Sequence, residues 1–136
     1  MKKFLFITLL IAASISCKKE FGELKYIETI PGGCALENGT PAKSSKVADV
    51  DKVTCSVSGG NLDLFVGFNA TCCGKYSTTY GIKGDTLIIK IINTQIGLCN
   101  CVCYYTFDFK FSGNGHNYKY VVTVDSSLTF TGQINP

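Results

Sequence analysis

The chain has 136 residues, with 13 lysines and no arginine, ten acidic residues and a formal net charge of +3. It therefore lacks the strongly basic surface and the bidentate phosphate ligands typical of nucleic-acid-binding proteins, and we do not expect nucleic acid as a partner. His116 is the only histidine. Ser-His-Asp or Cys-His catalysis would depend on this one residue, so the composition favours a noncatalytic protein.

The N-terminal segment is organised like a secretory signal peptide. Lys2 and Lys3 precede an uncharged stretch over residues 4–16, which ends in small residues directly before Cys17. This pattern predicts that residues 1–16 form a signal peptide that is removed during export. The stretch is shorter than the roughly 20 apolar residues of a bilayer-spanning helix, which disfavours a permanent transmembrane anchor.

The position of Cys17 resembles the lipobox of bacterial lipoproteins, although Ser14 stands where the common pattern has leucine. The sequence CKKE that begins at Cys17 is similar to the start of many lipoproteins of Bacteroidetes. The resemblance implies that Cys17 is lipidated and holds the protein at the outer membrane or the cell surface, because several acyl chains bind a bilayer firmly. Residues 17–24 would then be a tether. The alternative is a secreted protein whose cysteine lies near the cleavage site by coincidence.

Residues 25–136 mostly alternate between apolar and polar side chains, with turn residues between the alternating segments. The predicted strands are 24–30, 53–58, 62–68, 75–82, 86–93, 98–111, 118–124 and 128–134. Short strands at regular spacing predict one all-β domain over 25–136, a single antiparallel β-sandwich of the immunoglobulin-like class with seven or eight strands. Residues 86–93, TLIIKIIN, are apolar at most positions, which predicts a central strand buried on both faces.

Three cysteines alternate along segment 98–111 and, on a strand, share one face with the aromatic residues that follow them. We expect this to be the core face. Alternate side chains on a strand lie about 7 Å apart, so these three cysteines cannot easily bridge one another. The candidate disulfide residues are Cys34, Cys55, Cys72, Cys73, Cys99, Cys101 and Cys103. The hairpin between these segments brings the chain back to the same region, so we expect Cys72 or Cys73 to bridge to the 99–103 segment. An odd number of candidates leaves at least one without a partner in the chain.

A metal or thiol-redox site is the alternative use of these cysteines. Cys72 and Cys73 could bend in from their loop and join Cys99 and Cys101 in a four-sulfur set, as tetrahedral zinc requires. However, the sequence has no Cys-x-x-Cys spacing, which is typical of metal and redox sites. Exported proteins also fold where thiols are usually oxidised. We therefore expect disulfides, with no cofactor.

Outward aromatic side chains are the candidate binding surface. Alternation places Tyr104 opposite the cysteines and Phe65 opposite the apolar face of its own strand. The orientation of four more tyrosines stays open: Tyr76, Tyr80, Tyr118 and Tyr120. Such rings can stack on sugars or dock a protein, or they can cover the core.

Together these features predict a small Cys-rich lipoprotein, similar to β-sandwich lipoproteins of Bacteroidetes. We expect a noncatalytic binding or accessory protein of the envelope whose partner, besides the membrane, is a glycan or an envelope protein. The sequence does not identify the ligand, and a cysteine-based metal-binding or redox protein is the alternative. His116 lies in GNGHN between two predicted strands, where an exposed turn residue is expected.

Overall fold

The computed structural model describes residues 23–32, 50–95, 97, 99–113 and 117–135. Its strands are β1 (Lys25–Gly32), β2 (Lys52–Ser58), β3 (Asn61–Thr71), β4 (Tyr76–Lys83), β5 (Thr86–Asn93), β6 (Val102–Ser112), β7 (Lys119–Val124) and β8 (Leu128–Gln133). A search of these residues for a helix long and apolar enough to cross a membrane finds none. Cys17, Cys34, His116 and the predicted signal peptide lie outside the described residues.

The strands form two four-stranded sheets, which confirms the predicted all-β sandwich. The first sheet has the order β1-β6-β3-β2 and is antiparallel throughout, whereas the second has the order β4-β5-β7-β8. Strands β5 and β7 are parallel, because the chain leaves the second sheet after β5, forms β6 in the first, and returns. This pair is the exception to the predicted antiparallel arrangement. The strand order also differs from the ABED and CFG sheets of immunoglobulin domains, so the likeness is one of architecture.

The core lies between the sheets and is built from alternate residues of the central strands. Its buried members are Leu24, Leu62, Leu64, Val66, Phe68, Leu87, Ile89, Ile91, Tyr105, Phe107, Phe109, Phe111, Tyr118, Val122, Val124 and Ile134. Leu24, the last residue of the predicted tether, is among them and is therefore part of the packed domain. Apolar burial on this scale is the main favourable contribution to folding.

Strand β5 is central in its sheet, but the prediction that both of its faces are buried is wrong. Leu87, Ile89 and Ile91 are fully buried, whereas Lys90 is exposed and Ile92 is 46% exposed. A two-layer sandwich covers only the inner face of each sheet. The outer face of β5 therefore meets solvent despite its isoleucines.

Strand β6 begins at Val102, later than predicted, because pairing with β3 ends at Thr71 opposite Val102. Cys99 and Cys101 precede the strand. Cys101 is exposed, and Cys99 and Cys103 are only half-buried. Cys103, on β6, packs against the core as predicted, but the prediction is wrong for Cys99 and Cys101, since alternation fixes the face only where the strand continues.

Candidate functional site

Two disulfides tie together the connections at one end of the sandwich. The β3–β4 and β5–β6 connections both cross between the sheets there. Cys72 is bonded to Cys101 with a Cα–Cα separation of 5.5 Å, and Cys73 is bonded to Cys99 with a separation of 6.1 Å. The predicted disulfides are thus present, and both Cys72 and Cys73 reach the segment before β6. The Cys72 N–H also donates to the Cys101 carbonyl at 3.1 Å, which extends the β3–β6 ladder by one position.

Two more cysteines lie in the described part of the chain. Cys103 is also disulfide-bonded. Cys55 is the free cysteine among those described. It is half-buried on β2 opposite Leu64, and its Sγ lies 3.9 Å from the carbonyl oxygen of Gln133 on β8. Cys55 therefore marks the seam where the edge strands β2 and β8 meet.

The four-sulfur alternative involves the same residues that form the two disulfides. Cys72, Cys73, Cys99 and Cys101 do converge, but as two bonded pairs. Metal ions bind thiolates, and a disulfide sulfur is not one. Within the described residues, no three His, Cys, Asp or Glu side chains are grouped so that they could hold a metal ion.

The aromatic residues beside the disulfides belong to the core. The Tyr105 hydroxyl donates to the carbonyls of Thr71 at 3.0 Å and Gly74 at 3.2 Å, and its ring meets Tyr76 edge to face with centroids 4.9 Å apart. Burial, and secondarily the negative charge of Asp125, raise the pKa of Tyr76 to about 12. Tyr76 and Tyr105 thus anchor the crossing connections and are not a binding surface.

The sequence also left undecided which way three other tyrosines point, and the structure gives each of them a different environment. Tyr118 is buried, and Tyr120 is half-buried with its ring lying across Gly132. Tyr80 is 48% exposed at the edge strand β4 and stacks on Tyr26 of β1 with centroids 4.5 Å apart. Tyr80 is therefore the one of the four that presents a large apolar surface to solvent.

Two aromatic rings lie on the outer face of the first sheet, as alternation predicts. Phe65 on β3 and Tyr104 on β6 lie on either side of Gly67, where an added Cβ would collide with the Tyr104 ring and lie 3.0 Å from that of Phe65. The Tyr104 hydroxyl donates to the Val50 carbonyl at 3.4 Å. The Lys52 Nζ lies 5.7 Å from the Phe65 ring centroid, within cation–π range. We call Phe65, Gly67 and Tyr104 the aromatic platform.

Polar side chains surround the aromatic platform. The register places Asp108 and Thr54 on either side of Phe65, and Thr106 beside Gly67. These three side chains point to the same outer face, since directly paired residues share a face. The platform therefore has carboxylate and hydroxyl groups at its margin.

A shallow recess of about 360 Å³ lies farther along this outer face. Its lining residues are Ile27, Ser58, Asn61, Asp63 and Lys110. The ammonium group of Lys110 is held by Glu28 at 2.9 Å, and this contact raises the pKa of Lys110. Charged and amide groups thus line the recess, and the outer face combines it with a flat aromatic area.

Sequence reasoning identified Phe65 and Tyr104 as outward aromatic residues but did not identify Gly67. The available signal was a glycine inside an otherwise apolar strand, LFVGF, because such a glycine often marks a close approach of another group. No protein-family model, curated protein or solved structure matches this chain. The likeness to lipoproteins of Bacteroidetes therefore stays a prediction from the N-terminal residues.

Proposed function

We propose that the protein is a membrane-anchored, noncatalytic binding lipoprotein of the bacterial envelope whose ligand is a glycan. The observation that carries the proposal is the aromatic platform, whose half-buried Phe65 and Tyr104 rings lie side by side on the outer face of the first sheet. Cys17 is the proposed attachment point for lipid. The disulfides support an oxidising compartment such as the one an exported protein reaches.

The surroundings of the platform favour a sugar over a purely apolar ligand. Binding sites for small ligands combine apolar and aromatic area with a few polar groups that fix orientation. Phe65 and Tyr104 supply the aromatic area. Asp108 and Thr54 are paired directly with Phe65, Thr106 is paired with Gly67, and all three side chains can form hydrogen bonds with a ligand. A sugar ring presents a C–H face to the aromatic rings and hydroxyl groups to such a margin.

A glycan array probed with the full-length protein tests the binding hypothesis, and titration with a bound glycan gives the affinity. We expect Phe65→Ala to weaken binding about tenfold, the equivalent of about 1.4 kcal/mol for a lost stacking ring. Ile92→Ala is the matched control, because Ile92 is exposed on the outer face of the other sheet. Unchanged affinity in Phe65→Ala would contradict the platform as the binding surface. Capture of an envelope protein, with no glycan bound, would favour an accessory role instead.

Metabolic labelling of cells with an alkynyl fatty acid tests the anchor. We expect label on the wild-type protein and none on Cys17→Ala. Absence of label on wild type, or equal label on both proteins, would contradict lipidation at Cys17. Protease treatment of intact cells would then determine whether an anchored domain faces the periplasm or the outside.

A further inference from the structure

Exposed apolar side chains concentrate on β1 and β4, the edge strands of the two sheets that lie next to each other. Of the eight large apolar side chains exposed in the described residues, five lie on these two strands. Tyr26, Tyr80 and Ile82 lie where the strands meet, whereas Ile27 and Ile30 lie on the outer face of the first sheet. The opposite pair of edge strands, β2 and β8, contributes none of the eight. Exposed apolar area of this kind is typical of an interaction surface.

Strand β4 also lacks the features that usually protect an edge strand from pairing. In the described part of the chain it pairs only with β5, over eight residues, YSTTYGIK, without proline or bulge. Its charges lie at or just beyond its ends, on Lys75, Lys83 and Asp85. The neighbouring edge strand β1 has a bulge between Tyr26 and Glu28, and it contains Pro31. An unprotected edge strand is a template for a further strand.

The backbone geometry shows which groups of β4 face its free edge. The Lys75 carbonyl accepts the N–H of Thr94 on the β5 side at 2.6 Å, and Lys83 pairs with Thr86 across the two-residue turn. Successive residues of a strand direct their N–H and C=O groups to opposite sides. Odd-numbered residues of β4 therefore face β5, and the backbone groups of Thr78, Tyr80 and Ile82 face the free edge.

We propose that β4 pairs antiparallel with β4 of a second copy of this chain, about a two-fold axis at Tyr80. The second sheets of the two copies then form one continuous eight-stranded sheet. Edge-facing residues must pair with edge-facing residues, so Tyr80 lies opposite the partner's Tyr80, and Thr78 lies opposite Ile82. The Tyr26–Tyr80 stacks of the two copies meet at the axis, which removes exposed aromatic area from water.

The charges at the ends of β4 favour this register and a second copy as the partner. With Tyr80 opposite itself, Lys75 of one copy lies beside the β4–β5 turn of the other copy, which contains Asp85, and symmetry repeats the contact. The Asp85 carboxylate also lies 3.4 Å from the Lys119 Nζ of its own chain. The register shifted by two residues in one direction places Lys75 opposite Lys83, and like charges directly opposite each other are unfavourable. The shift in the other direction moves Lys75 away from the turn that contains Asp85. The edge is thus complementary in charge to itself.

The dimer has a consequence for the proposed glycan site, although the dimer itself does not depend on that site. Antiparallel strands that share a face are related by an axis perpendicular to the sheet, so the two aromatic platforms face the same direction. Two such sites on one membrane-anchored dimer bind a repeating glycan with higher avidity than either site alone.

Cysteine cross-linking of the full chain in cell membranes tests the pairing. Hydrogen-bonded antiparallel pairs have Cα atoms about 5.5 Å apart, within disulfide range. Tyr80→Cys is therefore expected to form a covalent homodimer under mild oxidation, at least about tenfold more than Thr79→Cys. Thr79 lies on the same strand, but its two copies are offset by two residues. The wild-type chain is the control for covalent dimers that form through the free Cys55.

Equal cross-linking of the two cysteine variants would overturn the proposal, and so would cross-linking of Tyr80→Cys to a different protein. A second measurement is the dimer dissociation constant of the purified full chain in detergent, by analytical ultracentrifugation. We expect Lys75→Glu to weaken dimerisation about tenfold, since at each end of the interface a carboxylate then lies beside the turn that contains Asp85 of the other copy. The control is Lys83→Glu, opposite the neutral Ser77, with little change. A monomer at all concentrations, or a stronger dimer in Lys75→Glu, would overturn the proposed register.

Discussion

The two disulfides are nested, and this arrangement predicts a specific pattern of stability losses. Cys73–Cys99 spans 26 residues and lies inside Cys72–Cys101, which spans 29. Removing a bridge restores conformational entropy to the unfolded chain, and the amount depends on the size of the loop that the bridge closes. Closing a loop of this size for the first time stabilises the fold by about 3.5 kcal/mol in the chain-entropy model.

The second bridge closes a much smaller ring once the first is present. That ring contains only residues 72–73 and 99–101, and closing about five residues contributes about 2 kcal/mol. Replacing either pair by serine therefore costs about 2 kcal/mol, because the remaining bridge still closes the large loop. Replacing both pairs costs about 5.5 kcal/mol, which exceeds the sum of the two separate losses.

Urea unfolding followed by circular dichroism measures these losses, in a Cys17→Ala background that removes the predicted lipid. The three variants are Cys72→Ser with Cys101→Ser, Cys73→Ser with Cys99→Ser, and the combination of all four substitutions. A combined loss no larger than the sum of the two separate losses would refute the nested-loop reasoning. A loss of about 3.5 kcal/mol from either pair alone would refute it as well, since it would mean that the other bridge does not close the large loop.

Three further predictions concern the core, the alkaline limit of stability and the aromatic platform. Ile89→Ala, at a fully buried position, should cost about 2–5 kcal/mol in urea unfolding; a loss below 1 kcal/mol would contradict its place in the core. Burial, assisted by Asp125, raises the pKa of Tyr76 from 10.0 to about 12. The protonated Tyr76 therefore makes its full contribution to the free energy of unfolding below pH 10, and this contribution is lost as the pH rises through 12. After allowance for solvent screening of this half-buried ring, we expect this contribution to be about 1 kcal/mol. In urea unfolding, the free energy of unfolding should then decrease less between neutral and alkaline pH in Tyr76→Phe than in wild type. Gly67→Ala should displace the Tyr104 ring and weaken glycan binding about tenfold while changing the urea midpoint little; unchanged affinity would contradict the platform geometry.

The strand pattern could be predicted from the sequence because its causes are local. The apolar run at residues 86–93 predicted β5 with the bounds that the structure has, and the segment at 24–30 was identified as the strand that becomes β1. The gap between the predicted strands 53–58 and 62–68 contains Gly59 and Gly60, which form the turn and both have positive φ, 57° and 78°, which glycine adopts without steric cost. Each of these features depends on side chains and dihedral angles within a few residues.

The candidate site was only partly predictable, since its geometry depends on neighbours that are distant in sequence. The outward direction of Phe65 and Tyr104 follows from alternation, but their approach across Gly67 requires the β3–β6 register. Likewise, a bond from Cys72 or Cys73 to the 99–103 segment was expected. The pairing of Cys72 with Cys101 and Cys73 with Cys99 depends on where β3 and β6 stop.

The sequence by itself determined an all-β chain with alternating strands, tight turns and cysteines too regularly spaced to bridge their near neighbours. Tertiary structure alone decided the parallel β5–β7 pair, the exposed outer face of β5, and the position of Tyr80 at an unprotected edge. The physical reason is that side-chain alternation is a property of one strand. Sheet order, register and burial result from hydrogen bonds and packing between strands that the chain brings together from distant positions.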